Sequence, residues 1–175
     1  MVFDVESIGL HGEAFAVGYV VVNDEGERLE QCLLHCPVDY AVGNGVNRRW
    51  IDENVPELND AQGACDDPAV VRMAFWQAWL KWKARGATLW ADCAWPVEAR
   101  FLARCVDDDI AEREWQGPYP LHEIATLAFA CGRDPLATLD RLPDELPAHN
   151  PLTDARQSAR LLVEYMQQAR RCGHD

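Results

Sequence analysis

Two acidic side chains lie close together near the start of the sequence, in residues 3–7 (FDVES). These residues have the composition of a short β-strand, and residues two apart on a strand point to the same face. Asp4 and Glu6 are therefore expected side by side, although like charges that lose solvation repel each other. A hard divalent cation such as Mg²⁺ or Mn²⁺ would relieve both costs. Taken alone, the pair also fits a solvated strand edge.

A histidine and an aspartate follow near the other end, in the segment HNPLTD that runs from His149 to Asp154. The apolar spacing after it predicts a last helix that begins near Asn150 or Thr153. Asp154 would lie in the first turn, where the helix dipole favours a negative charge and is a sufficient reason for it. His149 would lie in the preceding loop and could be an ordinary surface residue.

Residues 89–102 (LWADCAWPVEARFL) hold two more acidic candidates. Asp92 follows a short apolar run, and Glu98 lies in the first turn of a helix that Pro96 opens. Structural explanations exist for both, since Asp92 suits a turn and Glu98 suits the positive end of a helix dipole. Either carboxylate could also point to the same site as the two acidic residues near the start.

A DxE strand near the N-terminus and an H-x4-D helix near the C-terminus together resemble the DEDDh family of 3′–5′ exonucleases. That family includes polymerase proofreading domains, ribonuclease T and oligoribonuclease. The first motif is FDVES and the third is HNPLTDA, followed by SARLL, so the resemblance extends from Asp4 to about Leu162.

The middle motif departs from the family pattern. Matching Phe101-Leu102 to the family's common Phe-Leu places the metal-binding aspartate at Glu98, whereas residue type favours Asp92. Both are candidates, with a slight preference for Asp92, because the shorter side chain reaches a tight two-metal site with less freedom.

The resemblance implies one exonuclease-like domain over residues 1–175. It implies an α/β fold of the ribonuclease-H-like type, in which three antiparallel strands precede parallel strands and helices flank the sheet. The implied activity releases nucleoside 5′-monophosphates from the 3′ end of single-stranded RNA or DNA. Two Mg²⁺ or Mn²⁺ ions would be held by four carboxylates, with His149 as general base. The implied ligands are Asp4, Glu6, Asp154 and either Asp92 or Glu98.

Three further residues are candidate substrate contacts. The resemblance implies that residues just after the DxE pair line the pocket of the terminal nucleotide, which points to Ser7 and to Leu10 as a wedge under the last base. Trp50 follows Arg48 and Arg49, so the indole could stack on a base while the guanidinium groups contact phosphate. The alternative for Trp50 is a place in the core, where most of the seven tryptophans are expected.

The elements that would position these residues follow from hydrophobic patterning. Residues 14–22 and 29–36 are β-rich and are joined by a hairpin signal at residues 23–26, which predicts three antiparallel strands at the start. Residues 40–64 are expected to form a long loop with at most one short helix. The later part of the chain is expected to alternate between helices and strands. It would hold a helix capped by Asp67, a strand at 87–91, a helix after Pro96, and a strand end plus helix over 121–131. Together these elements predict a mixed α/β sheet with helices on its faces.

Composition sets limits on partners and compartment. No apolar stretch approaches the ~20 residues of a membrane span, and no signal peptide is visible, which predicts a cytoplasmic protein without membrane contact. Seven cysteines are scattered without a CxxC pair, as expected of reduced thiols. The net charge of −13 is unusual for a nucleic-acid binder, although cations at an acidic site reverse the local field. It suggests short oligonucleotides or a partner that delivers substrate.

Three other hypotheses stay open. The chain could be a catalytically inactive ribonuclease-H-like module for nucleic-acid binding or scaffolding. It could be an endonuclease of the same fold, although a histidine five residues before Asp154 favours the exonuclease. It could also be an unrelated acidic α/β protein with solvated carboxylates. A homodimer is possible, with residues 40–64 or the tryptophan-rich helix as the contact surface.

Overall fold

One mixed sheet of five strands organises the computed structural model, which describes residues 1–172. The strands are β1 (Val2–Ser7), β2 (Ala14–Val22), β3 (Arg28–His35), β4 (Trp90–Ala91) and β5 (His122–Glu123). Their order across the sheet is β3-β2-β1-β4-β5. The first three are antiparallel neighbours, whereas β4 pairs parallel with β1 and β5 pairs parallel with β4. The predicted succession of antiparallel and then parallel strands is confirmed.

Helices cover both faces of this sheet. They are α1 (Gly45–Asn54), α2 (Pro68–Lys83), α3 (Val97–Asp107), α4 (Ile110–Arg113), α5 (Ile124–Ala130) and α6 (Pro151–Cys172). Short 3-10 turns occur at Val38–Tyr40 and Pro143–Glu145. Within residues 1–172, no helix is both long and apolar enough to cross a membrane.

Local capping explains several of the boundaries. Asp67 accepts hydrogen bonds from the backbone N–H groups of Ala69 and Val70, so α2 begins at Pro68 as expected. In the β2–β3 hairpin, Asn23 accepts from the N–H groups of Glu25 and Glu27. The strand predicted at 87–91 is shorter than expected, with pairing only at Trp90–Ala91. The backbone of residue 87 instead bonds back to Trp82 and completes the end of α2.

The two faces of the sheet bury separate cores. Phe3 packs against Phe75 of α2, which packs in turn against Phe101 of α3, with ring centroids 5.1 and 5.2 Å apart. Val2 and Val20 belong to the other core, with α5 and α6. Because side chains alternate along a strand, Asp4 and Glu6 share the face of Val2 and point toward α6.

Gly18 brings α6 directly onto the sheet. It pairs with Asp4 in the antiparallel register of β1 and β2. A Cβ atom at Gly18 would lie 2.2 Å from the backbone nitrogen of Leu152 and from the carbonyl carbon of Pro151. Only glycine leaves room for the first turn of α6 at this point. The start of α6, which carries Asp154, therefore lies over the strand position next to Asp4.

Six of the seven cysteines have side chains that the structure describes. Cys36 and Cys105 are buried, Cys32, Cys65 and Cys131 are half-buried, and Cys93 is exposed; all six thiols are free. The Cys172 side chain lies outside the described residues.

Candidate active site

Carboxylates from four elements converge where β1 and β4 end. Asp4 and Glu6 come from β1, Asp92 directly follows β4, Glu98 lies in the first turn of α3, and Asp154 lies in the first turn of α6. Burial raises the pKa of Asp4 well above its ordinary value, and the charges of the other four carboxylates raise it further. The structure thus brings together every acidic residue that the sequence nominated.

Burial and the neighbouring like charges also raise the pKa values of other carboxylates in this cluster. Burial, with the charges of Asp154 and Glu98, raises the pKa of Glu6 to about 8. Burial also raises the pKa of Glu98 to about 7, although hydrogen bonds from its own backbone and from that of Val5 act in the opposite direction. The cluster therefore retains protons near neutral pH unless a cation replaces them.

Glu98 and Asp92 occupy different positions in the cluster. Glu98 is 8% exposed, and its charge is the largest of the carboxylate effects on the pKa of Asp4; it also acts on Glu6. Asp92 is exposed, and its charge has the smallest of these effects on Asp4. The carboxyl group of Asp92 is nevertheless partly desolvated, and this desolvation, followed by the charges of Glu123 and Asp154, raises its pKa. Glu98 is thus part of the centre, and Asp92 lies at its rim.

His149 faces the same cluster from the loop before α6. An imidazole nitrogen and carboxylate oxygens of Glu6 and Asp154 all lie within 4.8 Å of one another. The backbone φ of His149 is 61°, in the left-handed region that costs a non-glycine residue roughly 1–3 kcal/mol. Its conformation is supported by Thr153, whose hydroxyl donates to the carbonyls of Pro147 and Asn150. The unusual backbone therefore directs the imidazole to the carboxylates.

Arg141 is a neighbour of Asp154 that the sequence did not indicate. Its guanidinium donates to Oδ1 of Asp154 and, at 2.9 Å, to the carbonyl of Glu145. The loop that carries it is held on α6 by Arg160, which pairs bidentately with the buried Glu145 at 2.6 and 2.9 Å. Residues 132–147 lack periodicity, so no local pattern could have placed Arg141 beside Asp154.

The three candidate substrate contacts have different environments. Ser7 is buried, and its hydroxyl donates to the carbonyl of Gly9 at 2.9 Å, so the group is used within the loop. Leu10 is 63% exposed in the same loop. Trp50 of α1 is 45% exposed and meets the His149 ring edge-on, with centroids 5.2 Å apart. Leu10 and Trp50 thus present apolar surface, and Trp50 does so directly beside the candidate catalytic histidine.

The surroundings of Trp50 differ in part from the expectation. Arg48 donates to the carbonyls of Val38 and Ala41, so its guanidinium is tied to the backbone, whereas Arg49 is exposed. A second aromatic residue was missed: Trp95, 73% exposed, lies on the short loop between Asp92 and Glu98. The core tryptophans are Trp76, Trp79 and Trp82.

Carboxylate oxygens, which dominate this cluster, suit the hard cations Mg²⁺ and Mn²⁺, whereas imidazole suits softer metals. The residues present therefore fit a hard divalent cation. No protein-family model matches this chain, and no curated protein matches it either.

Proposed function

We propose that this protein is a metal-dependent 3′–5′ exonuclease of ribonuclease-H-like architecture. One observation carries the proposal: five carboxylates from distant parts of the chain meet beside a histidine that a left-handed backbone turns toward them. Burying like charges together is costly for folding. A function that requires bound cations gives a physical reason for this arrangement.

The fold supports the proposal at a coarser level. A mixed sheet in the order β3-β2-β1-β4-β5, with helices on both faces, is compatible with the ribonuclease-H-like fold. In such open sheets, ligands commonly bind beyond the carboxyl ends of the parallel strands. The carboxylates lie at that end of β1 and β4.

Asp4, Glu6, Glu98 and Asp154 would hold the metal, with Asp92 at the rim as a further ligand. We assign the middle position to Glu98 because of its burial and its strong electrostatic effect on Asp4. When bound, two Mg²⁺ or Mn²⁺ ions would supply charge stabilisation to the phosphodiester and to the attacking and leaving oxygens.

His149 would act on the attacking water. Its imidazole accepts a proton as the water oxygen bonds to phosphorus, and the P–O3′ bond of the penultimate nucleotide breaks. The departing 3′ oxygen takes up a proton, and the product is a nucleoside 5′-monophosphate. The nearby carboxylates of Glu6 and Asp154 would stabilise the protonated imidazole.

Leu10 and Trp50 would select the end of the strand. Base stacking on an aromatic side chain contributes roughly 1–3 kcal/mol and does not depend on the base. An exposed indole beside His149 could stack on the terminal base, and Leu10 could separate it from its neighbour. This arrangement favours an unpaired 3′ end over a duplex.

Cleavage of labelled single strands tests the proposal. Purified protein is incubated with 3′- and 5′-labelled RNA and DNA, with Mn²⁺, Mg²⁺ or EDTA. We expect a ladder that shortens from the 3′ end and disappears with EDTA and in Asp4→Asn. Asp66→Asn, which removes an exposed carboxylate before α2, is the matched control and should cleave normally. Cleavage that survives EDTA, or that starts inside the strand, would contradict the proposal.

A catalytically inactive module is the second candidate. The Arg141 guanidinium already supplies Asp154 with a positive partner, so one of the carboxylates is satisfied without an ion. Mn²⁺ binding and oligonucleotide binding without cleavage of any substrate would favour this alternative over the exonuclease.

A further inference from the structure

A cavity adjoins the carboxylate centre but does not contain its carboxylates. It measures about 220 Å³ and lies between the β1–β2 loop and α3. Ser7, which directly follows Glu6, and Val97, which directly precedes Glu98, both line it. The cavity is therefore one residue away from the centre along two separate elements.

Positive charge is concentrated in this cavity. Arg100 and Arg104 are four apart on α3, so both guanidinium groups lie on one helix face, and both line the cavity. Arg72 of α2 and His11 of the β1–β2 loop line it too. A chain with a net charge of −13 thus gathers three arginines beside a cluster of five carboxylates.

The arginines differ in how far their charge is already matched. Arg72 donates to Asp108 at 2.6 and 2.9 Å and to Glu13 at 3.1 Å, and Glu13 also lines the cavity. Arg104 has only a loose, exposed pair with Asp107 at 3.6 Å. Arg100 is exposed and makes no ion pair with any residue in the described part of the chain. Unmatched charge therefore belongs mainly to Arg100 and Arg104.

We propose that this cavity binds a phosphate group of the nucleic-acid strand whose 3′ end occupies the carboxylate centre. The inference rests on the proposed exonuclease function and adds a binding site for the adjacent backbone. Guanidinium groups bind phosphate oxygens in a bidentate manner. The cavity is smaller than the roughly 300–1,000 Å³ typical of pockets for drug-sized ligands, which suits one phosphate better than a whole nucleotide.

The charge distribution explains why a separate phosphate site would help the protein to bind a strand. An acidic protein repels a polyanionic strand, and the carboxylate centre attracts it only when cations are bound. A cationic cavity next to that centre holds the strand independently of the metal. Strands that reach the cavity should bind more tightly than mononucleotides.

The test is strand binding by the double variant Arg100→Gln/Arg104→Gln. Both changes remove exposed charge from α3 and leave a polar side chain in its place. The matched control, Arg85→Gln/Arg171→Gln, removes two exposed arginines elsewhere. All proteins carry Asp4→Asn to prevent cleavage, and fluorescence anisotropy measures the Kd of a labelled single-stranded oligonucleotide at several salt concentrations. Thermal unfolding checks that each variant is folded.

We expect the Kd of the double variant to rise about tenfold, the effect of removing a hydrogen bond between charged groups. The slope of log Kd against log salt should fall by about 0.7 for each phosphate of a single strand that the arginines no longer neutralise. The control should keep the affinity and the slope of its parent. Equal affinity and slope in all three proteins would overturn the proposed phosphate site. The exonuclease proposal would be unaffected, because cleavage is measured separately in proteins that keep Asp4.

Three further outcomes distinguish free phosphate from strand phosphate, and the cavity proposal from the exonuclease proposal. Inorganic phosphate is titrated into the parent and the double variant by calorimetry. Phosphate binding that disappears in the double variant, with strand affinity unchanged, would mean that the cavity takes free phosphate and would contradict the strand site. Strand binding that needs Arg100 and Arg104 without any cleavage would support the cavity and overturn the exonuclease. No strand binding by the parent would overturn the cavity proposal.

Discussion

Glu98 and Asp92 illustrate how environment decides between two similar side chains. Both are acidic, and both border the same centre, yet Glu98 is buried beside Asp4 and Asp92 is exposed near Glu123. The slight preference for the shorter Asp92 came from side-chain length alone. Burial and electrostatic coupling instead favour Glu98 as the middle ligand.

Glu98→Gln is expected to lower kcat by roughly 10²-fold or more, because it removes a buried ligand charge at the centre of the site. Asp92→Asn should lower kcat by less than about tenfold, since the rim position contributes less charge. Steady-state cleavage and Mn²⁺ titration calorimetry on both isosteric variants measure the difference. The opposite ranking would reassign the middle ligand to Asp92.

His149→Asn tests whether the imidazole is a base or a ligand. We expect kcat to fall by about 10²–10⁴-fold, the usual contribution of general acid–base catalysis. Mn²⁺ affinity should stay close to that of the parent, because the carboxylates provide the ligand set. Glu6→Gln serves as the comparison that does lose affinity. If His149→Asn weakens Mn²⁺ binding as much as Glu6→Gln does, the imidazole is a metal ligand instead.

At the scale of elements, the first turn of α6 determines whether the site can form. This turn carries Asp154, is separated from His149 only by Asn150, and packs on Gly18 of β2. Arg160 holds the preceding loop on α6 through Glu145, and Arg156 donates to the carbonyl of Asp144 at 2.9 Å. The position of Asp154 relative to Asp4 therefore depends on a close approach between helix and sheet.

Gly18→Ala is expected to push the start of α6 away from β2, because the added Cβ would lie 2.2 Å from backbone atoms that cannot yield easily. Overpacking of this kind costs about 1–3 kcal/mol, and each kcal/mol lowers the Tm of a protein this size by about 2–4 °C. Cleavage should fall further than stability explains, since Asp154 moves with the helix.

Gly45→Ala is the control for this variant, because nothing lies within 4 Å of a Cβ at that position. Thermal unfolding and steady-state kinetics are measured on both variants under the same conditions. A Gly18→Ala protein with parental Tm and kcat would show that α6 does not need the glycine.

For the whole molecule, the carboxylate cluster links stability to pH and to metal. The pKa values of Glu6 and Glu98, about 8 and about 7, lie above the ordinary glutamate value of 4.5. At these two side chains, the folded protein therefore binds more protons than the unfolded chain between pH 4.5 and 8. By linkage, these two groups make the free energy of unfolding fall as pH rises through that range.

In EDTA, we expect Tm to fall less between about pH 5 and 8 in Glu6→Gln than in the parent. Other groups have the opposite effect on stability, such as the buried α-amino group of Met1, whose pKa is lowered to about 6. Both proteins contain these groups, so their contribution is absent from the difference in Tm between parent and variant. Mn²⁺ should raise the Tm of the parent more at about pH 8 than at about pH 5, since fewer protons compete with it. Identical pH profiles for parent and variant would refute the linkage.

Local features of the sequence determined most of the elements. The alternation in residues 3–7, the Asn23 hairpin and the Asp67 cap each involve neighbouring residues, and each appears as expected. The strand predicted at 87–91 was too long, because residue 87 bonds back to the end of α2. The shared face of Asp4 and Glu6 also followed from strand alternation alone.

Tertiary structure decided which residues meet. Arg141 reaches Asp154 from a loop without periodicity, and the cationic cavity combines Arg72 with Arg100 and Arg104 from a different helix. No spacing along the chain encodes such proximity, because it depends on the sheet register and on how closely each helix packs. The sequence by itself therefore determined the strands, the caps and the candidate carboxylates. Whether Glu98 or Asp92 lies at the centre followed only from burial and charge in the folded chain.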